Sequence, residues 1–260
     1  MVWTALCFPY GPLFPWSPWK PGYAKIALRR SDIYYPEGTT VPPAFLHFDQ
    51  YMGESERFHR LTLPRRIEVI LCRDWNDFHR FMPALRGNAV GAATLETGTV
   101  IYVTPKIAER GFDFGEFLRH ELSHATVNQH QTLLRAHEAS NAQWFFEGLA
   151  VSFGRQRAYV NPAEFVAFAQ ARNLVPVIDP SRRRPDLPWD MRFNYQTWRY
   201  FLEYQVDTKG RDRFQQLLEG MMRDPKGSDR VFSSVYGMSL PEAIDRFQSD
   251  VRECRWSPRP

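Results

Sequence analysis

His120-Glu121-Leu122-Ser123-His124 is the stretch on which the reading of this chain turns. It has the form H-E-x-x-H. On an α-helix, residues four apart lie on the same side, one turn above the other. Both imidazoles can then reach one zinc ion at about 2.0–2.1 Å. The glutamate between them is rotated off the ligand pair yet stays near the metal, where it can take a proton from water. The bland alternative is a helix carrying two ordinary polar histidines. The surroundings argue for a well-specified helix: Phe114, Phe117, Leu118, Leu122 and Ala125 recur at a spacing of three to four, which predicts an amphipathic helix from Asp113 to about Gln129. Asp113, with Glu116 three residues on, is an acidic variant of the capping box.

Outward from this helix, strands are expected before residue 105 and helices after it, an α+β pattern. Tyr23 onward alternates, with Ala24–Arg29 and Asp32–Tyr35 reading as strands and Pro36-Glu37-Gly38 as a turn. Residues 44–60 read as a helix. Arg66–Cys72 is the clearest strand, Asp74–Phe81 a short helix, and Thr99–Val103 a further strand ended by Thr104-Pro105. Beyond the H-E-x-x-H helix, residues 130–142 read as a polar connector. A helix then starts near Ser140 or Asn141, burying Trp144, Phe145, Gly148, Leu149, Ser152 and Phe153. Asn161-Pro162-Ala163-Glu164 combines a capping Asn, Pro at the first helical position and Glu at the third. Residues 174–192 read as a proline-bearing loop, and Tyr195–Val206, Arg211–Met222 and Pro241–Val251 as helices, the last capped by Ser239.

The 260 residues suffice for a substantial core, in one domain of two lobes or in two small domains. An apolar share of 43% and a charged share of 24% are those of an ordinary globular chain, whereas 15% aromatic residues, with 8 Trp, is high. The net charge of +4 is spread over scattered arginines, which gives no basic stripe and therefore no expectation of a nucleic-acid partner. The dense run Arg182-Arg183-Arg184 reads as a solvated loop, with a subsite for acidic groups as the rival reading. Cys7, Cys72 and Cys254 are odd in number and far apart, so they predict neither a disulfide framework nor zinc ligands; Cys72 reads as a small buried hydrophobe. Residues 1–19 are uncharged and aromatic-rich, but Pro9, Pro12, Pro15 and Pro18 break any spanning helix. The segment reads either as an extended stretch over the body or as the tail of a longer membrane anchor. The expected organisation is an apolar segment over 1–21, a strand-rich lobe over 22–130 ending in the H-E-x-x-H helix, and a helical lobe over 131–260.

A catalytic zinc site takes three protein ligands and keeps a fourth position open. Glu147 is the downstream candidate, a lone carboxylate in Trp144-Phe145-Phe146-Glu147-Gly148-Leu149-Ala150, where an unpartnered charge would be costly. From spacing alone it is either a ligand or a solvent-facing residue of an amphipathic helix. His79, His130 and His137 lack ligand spacing and read as surface or loop histidines.

Taken together, His120-Glu121-Leu122-Ser123-His124, a gap of 22 residues and Glu147-Gly148-Leu149-Ala150 resemble the gluzincin metallopeptidases, and more narrowly the bacterial peptidase MA-like proteins. Tyr195–Leu202 and Gly237–Leu240 are similar to later parts of that family, Gly22-Tyr23 and Tyr34–Gly38 to the start of its domain, and the similarity covers about residues 22–252. The resemblance implies a zincin-like fold, one zinc ion held by His120, His124 and Glu147, peptide-bond hydrolysis with Glu121 as general base, and a membrane-associated or extracytoplasmic setting. It also implies Tyr195 as a donor to the oxyanion of amide hydrolysis, against a plain packing role. Trp189, Phe193 and Tyr200 read as packing residues. In zincins a strand placed like Ile101–Val103 borders the cleft and pairs with an extended substrate. At the position four after Glu147, where many gluzincins carry an acid, this chain has Val151. The expected function is that of a zinc metallopeptidase acting on peptides or proteins; the alternative is an inactive zinc-binding or scaffolding module, since fold alone does not imply activity.

Overall fold

The computed structural model describes residues 13–17, 19–83, 91–156, 161–178 and 191–258, without the side chains of Pro176, Met191 and Arg192. Cys7, Trp189 and the run Arg182–Arg184 lie outside the described residues. The chain is α+β and divides into two compact units, Met1–Gln129 and His130–Pro260.

The first unit is built on a five-stranded mixed sheet. In chain order its elements are β1 (Tyr23–Ala27), β2 (Ser31–Pro36), α1 (Pro43–Leu46), α2 (Phe48–His59), β3 (Ile67–Leu71), α3 (Trp75–Phe81), β4 (Ala92–Thr94), β5 (Val100–Val103), α4 (Lys106–Glu109) and α5 (Phe114–Asn128). The spatial order is β1-β2-β3-β5-β4, with β2, β3 and β5 parallel and β1 and β4 antiparallel to their neighbours. Parallel strands covered on both faces carry continuous apolar runs, and Val100-Ile101-Tyr102-Val103 is buried at every position.

Alternation along the strands divides these residues between two faces. Ile70, Cys72, Val100 and Tyr102 join Phe78 and Phe81 of α3, and Phe14 stacks on Phe81 with ring centroids 4.2 Å apart. Residues 13–17 thus pack on the sheet through Phe14, and burying one such ring contributes about 2 kcal/mol. α2 and α5 pack together, and α5 lies along β4 and β5. The C-terminal end of α5 is fixed by the turn before β5. Gly98 has φ +68°, and a Cβ there would lie 2.5 Å from the Ala125 carbonyl oxygen. Gln129 donates to the Gly98 carbonyl at 2.8 Å and accepts from the Arg65 amide at 3.0 Å.

Two expectations are corrected in this unit. β5 lies between β3 and β4 with both sides paired, so it offers no edge to a substrate; β4 pairs only with β5 among the described residues and forms the sheet's edge. His79, expected on the surface or in a loop, is neither fully exposed nor in a loop. It lies half-buried in α3, edge-on to Trp75 and Phe78.

The second unit is helical: α6 (Leu133–Glu138), α7 (Gln143–Gly154), α8 (Pro162–Ala171), α9 (Val175–Ile178), α10 (Met191–Lys209), α11 (Arg211–Arg223), α12 (Ser228–Tyr236) and α13 (Leu240–Arg252). The stretch expected as a connector over 130–142 contains α6, with Thr132 accepting from the Arg135 amide, and the 3-10 turn Ala139–Ala142. Glu138 anchors it through ion pairs to Arg135 and Lys226, a partner that no local pattern announces. The loop expected over 174–192 likewise holds α9 and the first residues of α10. Both expected capping boxes form: Asn161 with Glu164, and Ser239 with Glu242.

α7 and α10 form the centre of this unit. Phe201 of α10 faces Phe232 of α12 and Phe247 of α13, and Trp144 of α7 packs beside Phe201. α7 is buried over most of its circumference, wider than the stripe its sequence suggests: Phe146, Ala150 and Val151 are buried too, whereas Ser152, expected inside, is only half-buried. No helix among the described residues is long and apolar enough to cross a membrane.

Candidate metal centre

α5 begins where its sequence dictates. The Asp113 carboxylate accepts from the Glu116 amide at 3.0 Å, satisfying one of the donors that every helix start leaves open. Leu118, Leu122 and Ala125 anchor the helix in the apolar interior. One turn separates His120 from His124, and their Nε2 atoms lie 3.2 Å apart, with ring planes inclined at 71°. Two ligands held at about 2.0–2.1 Å around one tetrahedral centre stand about 3.3–3.4 Å apart. The histidine pair therefore has the separation that a shared metal ion requires.

Glu121 is buried, 6% exposed, as is His120. Its carboxylate Oε2 lies 2.8 Å from the Thr94 hydroxyl, and the same hydroxyl lies 2.8 Å from the Glu121 carbonyl oxygen. Thr94 comes from β4, opposite Ile101 of β5. The remaining motif residue, Ser123, points to a second polar group. Its hydroxyl meets His59 Nε2 at 2.7 Å, and Ser55 joins Thr126 at 2.7 Å. All four side chains are buried.

Glu147 is half-buried on α7 between buried Phe146 and Gly148. A Cβ at position 148 would lie 2.9 Å from the carbonyl carbon and oxygen of Trp198. Glycine there allows the backbones of α7 and α10 to approach. His120 and His124 belong to the first unit and Glu147 to the second, and each of the three residues carries an atom that can ligate a metal ion. Imidazole and carboxylate are both donors that divalent metal ions accept. Cys72 lies in the apolar cluster on the sheet, where burial pushes its thiol well above the usual range. Tyr195 is half-buried on α10, its ring leaning on Trp198 at 5.3 Å. Phe193 stacks on Phe168 and Tyr200 meets Phe165 edge-on, both in packing roles.

Sequence reasoning missed Thr94 and His59. A three-residue strand with two alanines carries almost no β signal, and a lone histidine in α2 has no spacing to the motif. A scan against protein-family models finds no match, and a search of the curated proteins finds no significant relative.

Proposed function

We propose that the chain is a zinc-dependent metallopeptidase of zincin-like fold, binding one zinc ion through His120, His124 and Glu147. The observation that carries this reading is the 3.2 Å separation of the two imidazole Nε2 atoms with a buried glutamate between them in sequence. A zinc ion held there supplies Lewis acidity toward the scissile carbonyl and toward water. Glu121 accepts the proton of the attacking water and passes it to the departing amine. Tyr195 is the proposed hydroxyl donor to the oxyanion. The side of β4 that pairs with no described strand is the edge along which an extended peptide would lie.

The test combines metal content with a single conservative change. Wild-type protein should carry about one zinc per chain and cleave a member of a mixed quenched-fluorescent peptide library. Glu121→Gln should keep the zinc and lose about 10²–10⁴-fold in turnover, the usual contribution of a general base. Equal turnover in that variant rules the mechanism out. Stoichiometric zinc without hydrolysis of any library member would favour a zinc-binding or scaffolding module.

A further inference from the structure

We infer that Thr94 is the positioning residue of Glu121. This rests on the metallopeptidase reading and deepens it. A glutamate side chain turns about three bonds, so a general base works only if something holds its carboxylate in place. In this chain the holder is a hydroxyl on another element. Thr94 Oγ1 lies 2.8 Å from Glu121 Oε2 and 2.8 Å from the carbonyl oxygen of the same residue. The hydroxyl has one proton and faces two acceptors of Glu121, bridging the side chain to its own backbone. Thr94 is itself held by strand pairing, since β4 is registered on β5 with Thr94 opposite Ile101. The donor is therefore fixed by the sheet and the acceptor by α5. With Oε2 engaged, Oε1 is the oxygen that takes the proton of the attacking water.

Two measurements test this, one of them on metal-free protein. A threonine that merely ties β4 to the helix backbone would serve the carbonyl alone. Thermal unfolding of the full metal-free chain separates these roles. Thr94→Val should lower Tm by roughly 2–6 °C, the loss of one buried hydrogen bond, and by clearly less in a Glu121→Met background, where the carboxylate is gone. An equal loss in both backgrounds overturns the proposal. In zinc-loaded protein, Thr94→Val should keep full zinc content and KM while kcat falls about 10–100-fold, and Thr94→Ser should restore most of it. Wild-type kcat in Thr94→Val also overturns the proposal. Failure of the underlying reading looks different. Wild-type protein that takes up no zinc, or Glu121→Gln turning over like wild type, removes the general-base role from both residues, whatever the thermal comparison gives.

Discussion

His59 of α2 and Ser123 of the H-E-x-x-H helix are joined inside the first unit, with Nε2 and Oγ 2.7 Å apart and both side chains buried. His59 Nδ1 lies 2.8 Å from the Ser55 carbonyl oxygen, which can only accept. Nδ1 therefore carries a proton, and in the neutral ring Nε2 accepts from Ser123. Thr126 donates to the Leu122 carbonyl at 2.8 Å and so receives the proton of Ser55. One consistent set of donors and acceptors ties α2 to the turn of α5 that carries both histidines.

Ser123→Ala should therefore destabilise the first unit although it removes a single hydroxyl. Losing the donor to a buried ring nitrogen costs about 1–3 kcal/mol. Urea unfolding checks this, read as a lower midpoint with an unchanged slope. A midpoint equal to wild type would show that the Ser123–His59 contact contributes nothing.

Gly148→Ala should be costly for a different reason. Its Cβ would lie 2.9 Å from backbone atoms of Trp198, which cannot rotate away as a side chain would. Separating two packed helices to admit a methyl group costs about 1–3 kcal/mol. Circular dichroism melting should show a lower Tm for this variant, whereas Gly38→Ala, where a Cβ meets nothing within 4 Å but φ is +78°, tests the backbone contribution alone.

Glu147→Ala should reduce metal content sharply while His137→Ala leaves it unchanged. In the proposed site Glu147 is one of three ligands, whose loss weakens metal binding severely, and the exposed His137 on α6 is not one of them. Elemental mass spectrometry of both purified variants, after zinc is offered and the excess removed, reads the difference. Equal zinc in Glu147→Ala and wild type would exclude Glu147 as a ligand.

Asp32 gives a pH dependence of known sign. Its hydrogen bond from Arg66, followed by that from Lys25, holds the carboxyl below its usual range. A depressed carboxylate stabilises the fold above its unfolded pKa, and that contribution fades as pH falls through the lower folded value. Wild type should exceed Asp32→Asn in stability at neutral pH, and the gap should close below about pH 4, the ordinary aspartate range. A gap independent of pH between 7 and 3 would show that the ion pairs contribute through shape rather than charge.

What could be read before folding was local. Asn161-Pro162-Ala163-Glu164 and Ser239-Leu240-Pro241-Glu242 form both reciprocal bonds of their capping boxes because every partner lies within three residues. Asp113 starts α5 for the same reason. β4 was illegible because Ala92-Ala93-Thr94 becomes a strand only by pairing with β5. α6 has a local cap in Thr132 and a local ion pair in Arg135–Glu138, but the Lys226 that also holds Glu138 lies 88 positions away and leaves no spacing to read.

That His120 and His124 share one side of a helix with Glu121 beside them follows from residue spacing, since helical periodicity is a property of the backbone and needs no partner. Which hydroxyl meets Glu121, which histidine lies beneath Ser123 and which main chain Gly148 must admit emerge only once the chain has packed. Those neighbours are set by how strands register and helices pack, and contacts across tens of residues leave no spacing to read.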